Sequence, residues 1–245
     1  MGALSAASGQ AAPAAHAASG KLTVLGAASL SLVFPKIYPS CASTGSSSCA
    51  KYTFNGSGTL ETDIEQGAPA DVYAAANSKD PDALYAKGLV EKPVEFATNE
   101  LVMVVPPDNP AHITSVNDIT KKGVKIVVCN AAQPCGDYAS TVFMNLGITT
   151  AADKNIVSTE TDVTQVLAEV AAGQADVGFV YITDAKSVPG KVKVILLPAR
   201  AMPGTQDWIA IVKGSKSQAA AKAFVNLVLS KRGQSTLAAA GFGKP

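Results

Sequence analysis

FATNELVMVVPPDNP, residues 96 to 110, is the stretch on which the fold turns. Its apolar centre, Leu101 to Val105, reads as a buried strand, preceded by polar residues and followed by prolines that end it. At five residues it is far too short to cross a membrane. A second extended run, KVKVILLPARAMPG, lies at residues 191 to 204. Two such segments can each carry the chain between two lobes. It would leave a first lobe near Thr98, build a second, and return near Leu197. The expected divisions are 21–98 for the first lobe, 99–197 for the second and 198–245 for the return.

Outward from these runs, short β-rich segments alternate with helical patterns. Strands are expected at Leu22 to Leu25, Tyr52 to Phe54, Val72 to Ala75, Lys125 to Cys129, Asn155 to Ser158, Val177 to Ile182, Val192 to Leu197 and Trp208 to Val212. Asp80-Pro81 starts a helix that Gly88 stops, and another, carrying Val142 and Leu146, ends at Gly147. Val163, Val166, Leu167 and Val170 share one face of a third. Ala221 to Leu229 forms the strongest late helix. The alternation predicts an α/β fold with parallel sheets. No internal repeat is visible in the sequence.

Composition narrows the function. The chain has 245 residues, 47% of them hydrophobic, enough for two lobes. With 20 Lys and Arg against 19 Asp and Glu, and no basic run, it lacks the footprint of a nucleic-acid binder. The first twenty residues carry no charge and are rich in Ala, Ser and Gly. They read as the remnant of an export region or a flexible tether without a fold of its own.

Cysteines fall in two local pairs, Cys41 with Cys49 and Cys129 with Cys135. An even count in close pairs points to disulfides and an oxidising compartment. Three pairings are possible; the short-range one is preferred, and four buried free thiols are the alternative. The only histidines are His16 and His112, and there is no CxxC, which argues against a zinc or other cation site.

Catalytic patterns are missing. A serine nucleophile needs a positioned base, and no histidine is placed to serve. NGSGT, residues 55 to 59, lacks the Lys-Ser/Thr ending of a P-loop. Instead, small hydroxyl or glycine residues recur directly after strands: Ser29, Ser57, the segment CNAAQPCGDYAS from Cys129, and STETDVTQVL from Ser158. Such turns lie at the carboxyl ends of strands, where open α/β sheets bind ligands, and helix N-termini there favour anions. For each alone, the simpler reading is that Ser29, Ser57 and Thr161 are N-caps. Together they point to a site.

VLGAASL (24–30), FNGSGTLETDIEQGAPADVYAAA (54–76), FATNELVMVVPPDNP, DVTQVLAEVAAGQADVGFVYITDA (162–185) and AAAKAFVNLVLSKRGQSTLAAAGF (219–242) follow one another in order. This series resembles the molybdate-binding solute-binding proteins of ATP-driven importers, from about Lys21 to Phe242. The resemblance implies a two-lobed, type II periplasmic-binding-protein fold with an anion cleft between the lobes. It implies binding of molybdate or tungstate outside the cytoplasm and delivery to an ABC-type permease, by a monomer with no cofactor and no enzymatic activity. Residue by residue, it implies that Ser29 and Ser57 hold the anion by hydroxyl and amide. Cys135 and Val163 would do so by backbone N–H, and Tyr181 by its hydroxyl. A pocket of neutral donors suits a fully ionised tetrahedral dianion and penalises a protonated one, whose own O–H lacks an acceptor.

Three features depart from the resemblance. Pro35 and Pro39 should cut short the helix after Ser29. Cys135 stands where a small residue is usual. Asp137 brings a negative charge close to the cleft unless it faces solvent. The alternatives are a binder of sulfate or another tetrahedral oxyanion, a thiol or redox enzyme using Cys129 and Cys135, and a secreted structural domain with an empty cleft.

Overall fold

The computed structural model describes residues 21–44 and 48–245, so the expectations for the first twenty residues lie outside it. Strand β1 (Lys21–Ala27) leads through a 3₁₀ turn (Ala28–Leu30) to α1 (Phe34–Ile37) and α2 (Cys41–Thr44). Then come β2 (Cys49–Asn55), α3 (Ser57–Glu65), β3 (Val72–Ala75), α4 (Lys79–Ala86) and β4 (Val94–Asn99). Glu100 alone separates β4 from β5 (Leu101–Val105). There follow β6 (Ile126–Cys129), α5 (Pro134–Leu146), α6 (Thr149–Asp153), β7 (Ile156–Glu160), α7 (Val163–Ala171), β8 (Val177–Tyr181) and α8 (Ile182–Ser187). The chain ends with β9 (Lys193–Ile195), β10 (Thr205–Ile211), α9 (Gln218–Leu229) and α10 (Lys231–Ala240).

Two five-stranded sheets result, in the orders β2-β1-β3-β10-β4 and β7-β6-β8-β5-β9. In each, three parallel strands are followed by two antiparallel pairings, through one reversed strand, β10 in the first sheet and β5 in the second. The expected parallel pairing therefore holds for one side of each sheet, and the strands at the chain crossings supply the antiparallel side. The two sheets repeat one topology that the sequence does not repeat.

Each crossing has its own character. The first runs almost unbroken from β4 into β5, as residues 96 to 110 predict, and all of β5 is buried. The second is not the long extended run expected. β9 has three residues, a 3₁₀ turn occupies Ala199–Ala201, and β10 starts at Thr205. Pro198 and Pro203 have no N–H to donate, so no ladder can continue through them.

Local chemistry explains the rest. Pro35 sits in the first turn of α1, which lasts four residues, the early stop expected after Ser29. Phe34 on that turn meets Phe96 at 5.8 Å and Phe224 at 5.6 Å, tying α1 to β4 and α9. Each such pair is worth about 0.5–1.5 kcal/mol beyond its burial. In the second sheet α7 lies very close to β8. A Cβ at Gly178 would stand 2.8 Å from side-chain atoms of both Val166 and Val170.

Both disulfides are the short-range ones, Cys41–Cys49 and Cys129–Cys135, with Cα separations of 4.9 and 5.6 Å. No free cysteine occurs among the described residues.

Candidate functional site

β1, β2 and β6 all end at one place, where the two sheets face each other. A small cavity there is lined by Ser29, Ser57, Cys135, Val163 and Tyr181, the five residues singled out in the sequence. Asn55 and Ala76 also line it and were not anticipated. Asn55 lies in the FNGSG turn, but the hydroxyl of Ser57 drew the attention. The side chain of Asn55 accepts from Gly56 N at 2.8 Å and so shapes the turn.

None of the three expected N-caps is one. Ala27 takes the cap position of the turn after β1, which puts Ser29 inside it; Ser29 makes no capping bond, and its Oγ has no partner among the described residues. At α3 the cap is Gly56, and Ser57 occupies the first helical position. Its Oγ accepts from Ala76 N at 3.1 Å, and its carbonyl accepts from the Tyr73 hydroxyl at 2.9 Å. Held in this way, the Ser57 O–H remains free to donate. At α7 the cap is Asp162 rather than Thr161, because Asp162 Oδ1 accepts from Thr164 N at 2.8 Å and Gln165 N at 3.2 Å. Those are the second and third amides of the helix, so the cap leaves the first, that of Val163, untaken.

Cys135 follows the same logic. Pro134, the first residue of α5, has no N–H. The Gln133 carbonyl accepts from Gly136 N and Asp137 N, both at 3.0 Å. The Cys135 amide, between Pro134 and Gly136, is the first that α5 can present. The Cys135 sulfur is bridged back to the end of β6, so it neither acts as a thiol nor stays mobile. Both bridged cysteines are buried, at 2% and 4% exposure. Asp137 is exposed, which removes the electrostatic objection to its position.

The Tyr181 hydroxyl is buried without a partner among the described residues, as is Ser29 Oγ. Burial, with Tyr138 and Asp207 nearby, pushes the Tyr181 pKa well above its ordinary value, so the group stays an O–H donor. No charged side chain lines the cavity. Three buried carboxylates stand behind it. Burial pushes Asp80 up to about 6 and Asp184 up to about 7, and holds Asp207 well above the usual carboxylate range. The arrangement offers donors without a formal positive charge, which is the chemistry of a neutral anion pocket.

Residues 22–243 match the family described as bacterial extracellular solute-binding protein. The chain belongs to this family. Among its relatives, molybdate-binding protein ModA of Mycobacterium tuberculosis H37Rv is 37% identical over 225 residues, 91% of this chain and 85% of the relative. A solved substrate-binding domain of a putative molybdenum ABC transporter from Clostridium difficile is 31% identical. Its TM-score is 0.67, and the match covers 93% of this chain and 100% of that one. The periplasmic molybdate-binding protein of Azotobacter vinelandii has a TM-score of 0.78 at 23% identity, over 91% of this chain and 99% of that one, and shows the shared fold. This solute-binding protein thus has the two-lobed α/β architecture of its relatives, with the cleft where the strand ends converge. Among its described residues no helix is long and apolar enough to cross a membrane, and no cluster of His, Cys, Asp or Glu is placed to hold a metal ion.

Proposed function

We propose that this solute-binding protein binds molybdate or tungstate outside the cytoplasm and delivers it to an ABC-type permease, acting as a monomer and without catalysing a reaction. The observation that carries the reading is the pair of buried, unpartnered hydroxyls, Ser29 Oγ and Tyr181 OH, at one neutral cavity. A buried polar group without a partner costs about 1–3 kcal/mol, so it is retained where a ligand completes it. Ser57 by its hydroxyl, and Cys135 and Val163 by their amides, would complete the donor set. The lobes would be 21–98 with 198–245, and 99–197, and would close on the anion. The names of the relatives support molybdate over other dianions, and the two disulfides support an oxidising location.

Thermal shift with a panel of oxyanions tests this. At about a thousandfold excess over the dissociation constant, molybdate and tungstate should each stabilise the fold by about 4 kcal/mol. Phosphate, which keeps a proton near neutral pH, should do much less. Sulfate carries the same charge on a smaller ion and reports on size. A phosphate shift equal to that of molybdate would defeat the neutral-donor argument, and a sulfate shift exceeding it would reassign the ligand.

A further inference from the structure

Gln133 sits just before α5 in the second lobe and is 3% exposed, yet it does not line the anion cavity. Its amide is spent entirely on the first lobe. Nε2 donates to Thr59 Oγ1 at 2.9 Å, and Oε1 accepts from Gly58 N at 3.1 Å. Around it the lobes approach more closely than side chains allow. A Cβ at Gly56 would lie 2.0 Å from Gln133 Oε1 and 2.4 Å from the Thr161 carbonyl oxygen. A Cβ at Gly58 would lie 2.2 Å from the Ala132 carbonyl oxygen. Tyr138 adds a further cross-lobe bond, its hydroxyl donating to the Ala76 carbonyl at 3.1 Å.

We propose that Gln133, seated against the two glycines of the NGSGT turn, is the latch that holds the cleft shut and so sets how long a bound anion stays. The inference rests on the reading that the cleft closes on a ligand. It adds a positioning residue that does not touch the ligand. The bonds of Gln133 to α3 exist only while the lobes meet. When the cleft opens, water can replace them, so no buried group is stranded. They therefore act on the closed population alone. Observed affinity scales with the fraction of protein able to close. Loss of the latch should weaken every anion by the same factor and leave selectivity unchanged, whereas loss of a cavity donor should alter both.

Gln133→Ala should raise the dissociation constants for molybdate and tungstate about tenfold, with their ratio unchanged and mostly through faster release. Gly58→Ala is the wedge. It favours the α3 helix, so the fold should hold, but its methyl meets the backbone of Ala132 and should weaken binding more than Gln133→Ala does. Spin labels at Asp82→Cys and Met144→Cys, one on each lobe and both exposed, report closure directly by their separation, with or without oxyanion. The closed population of the otherwise native chain should fall in both variants. If no oxyanion bound, the function reading would fail, while the label distances would still decide the latch. Equal closed fractions in all three proteins, a changed molybdate-to-tungstate ratio in Gln133→Ala, or a native chain that never closes would each overturn the latch.

Discussion

On the first-lobe side the cavity meets two serine side chains, Ser29 and Ser57. On the second-lobe side it meets Cys135 and Val163, which can contribute only backbone amides, together with the Tyr181 hydroxyl. A side-chain donor is carried by its own residue. A backbone donor depends on whatever holds the backbone, here the Asp162 cap, the missing N–H of Pro134 and the Cys129–Cys135 bridge. Single substitutions in the cavity should therefore disable the first wall, while the second wall should yield to changes behind it.

The largest effect should come with pH, because buried acids stand behind the cavity near Tyr181. Asp184 accepts from Tyr181 N at 3.0 Å, yet burial still pushes its pKa up to about 7. Asp207, in the first sheet, is shifted in the same direction. A raised acid binds its proton more tightly folded than unfolded. Its cost is absent below about pH 4, grows as pH rises, and for Asp184 is complete above about 7. Stability should fall between pH 5 and pH 8 by on the order of a few kcal/mol, read as a falling melting temperature. Asp184→Asn keeps an acceptor for Tyr181 N and should flatten the slope. Asp118, held low by Lys121 and backbone donors, acts in the opposite sense but only at lower pH. A native melting temperature that rises across this window would contradict the burial argument.

Next come the cavity hydroxyls. Ser29→Ala, Ser57→Ala and Tyr181→Phe should each cost about 1.5–3 kcal/mol of molybdate affinity by titration calorimetry. Because Ser29 caps nothing, its removal should leave stability almost untouched. Ser57→Ala should also lower stability, since it strands the buried Ala76 amide. Unchanged affinity in all three would mean that the cavity is not the site.

The bridges give the next contrast. Each closes a short loop and should stabilise by roughly 2.5 kcal/mol. Cys129→Ser with Cys135→Ser should also weaken binding, since the amide of Cys135 loses its anchor. Cys41→Ser with Cys49→Ser should leave binding nearly as it was, because that bridge lies outside the cavity. Equal binding by both double variants would remove the disulfide from the account of the second wall. The smallest effect belongs to Asp162→Ala, about 1 kcal/mol of stability with a slight loss of affinity.

Much of this was legible in the sequence because it is local. The apolar run of β5, the stops at Gly88 and Gly147, the brief α1 beside Pro35 and the two short cysteine spacings all follow from neighbours along the chain. The five cavity residues emerged from the family resemblance. What stayed hidden depends on distant pairing. The antiparallel setting of β5 and β10 is decided by which strand each meets after a crossing. Gln133 and Asp207 are polar residues that read as surface, and only the fold buries them. Ser29, Ser57 and Thr161 looked like caps because a hydroxyl after a strand usually is one; a shift of one or two residues gave the caps to Ala27, Gly56 and Asp162 instead.

Gly178 gives the second wall an adjustable height. Helix α7 settles onto the sheet only as far as the bare backbone of β8 permits, and its first residue, Val163, is carried down with it. A single methyl at Gly178 would act as a shim under that helix. It would lift the end that reaches the cavity by a fraction of an ångström, without altering any polar group. An anion that needs its donors at fixed spacing would register the change. The calibre of the pocket is thus set partly from beneath, by a side chain that is not there.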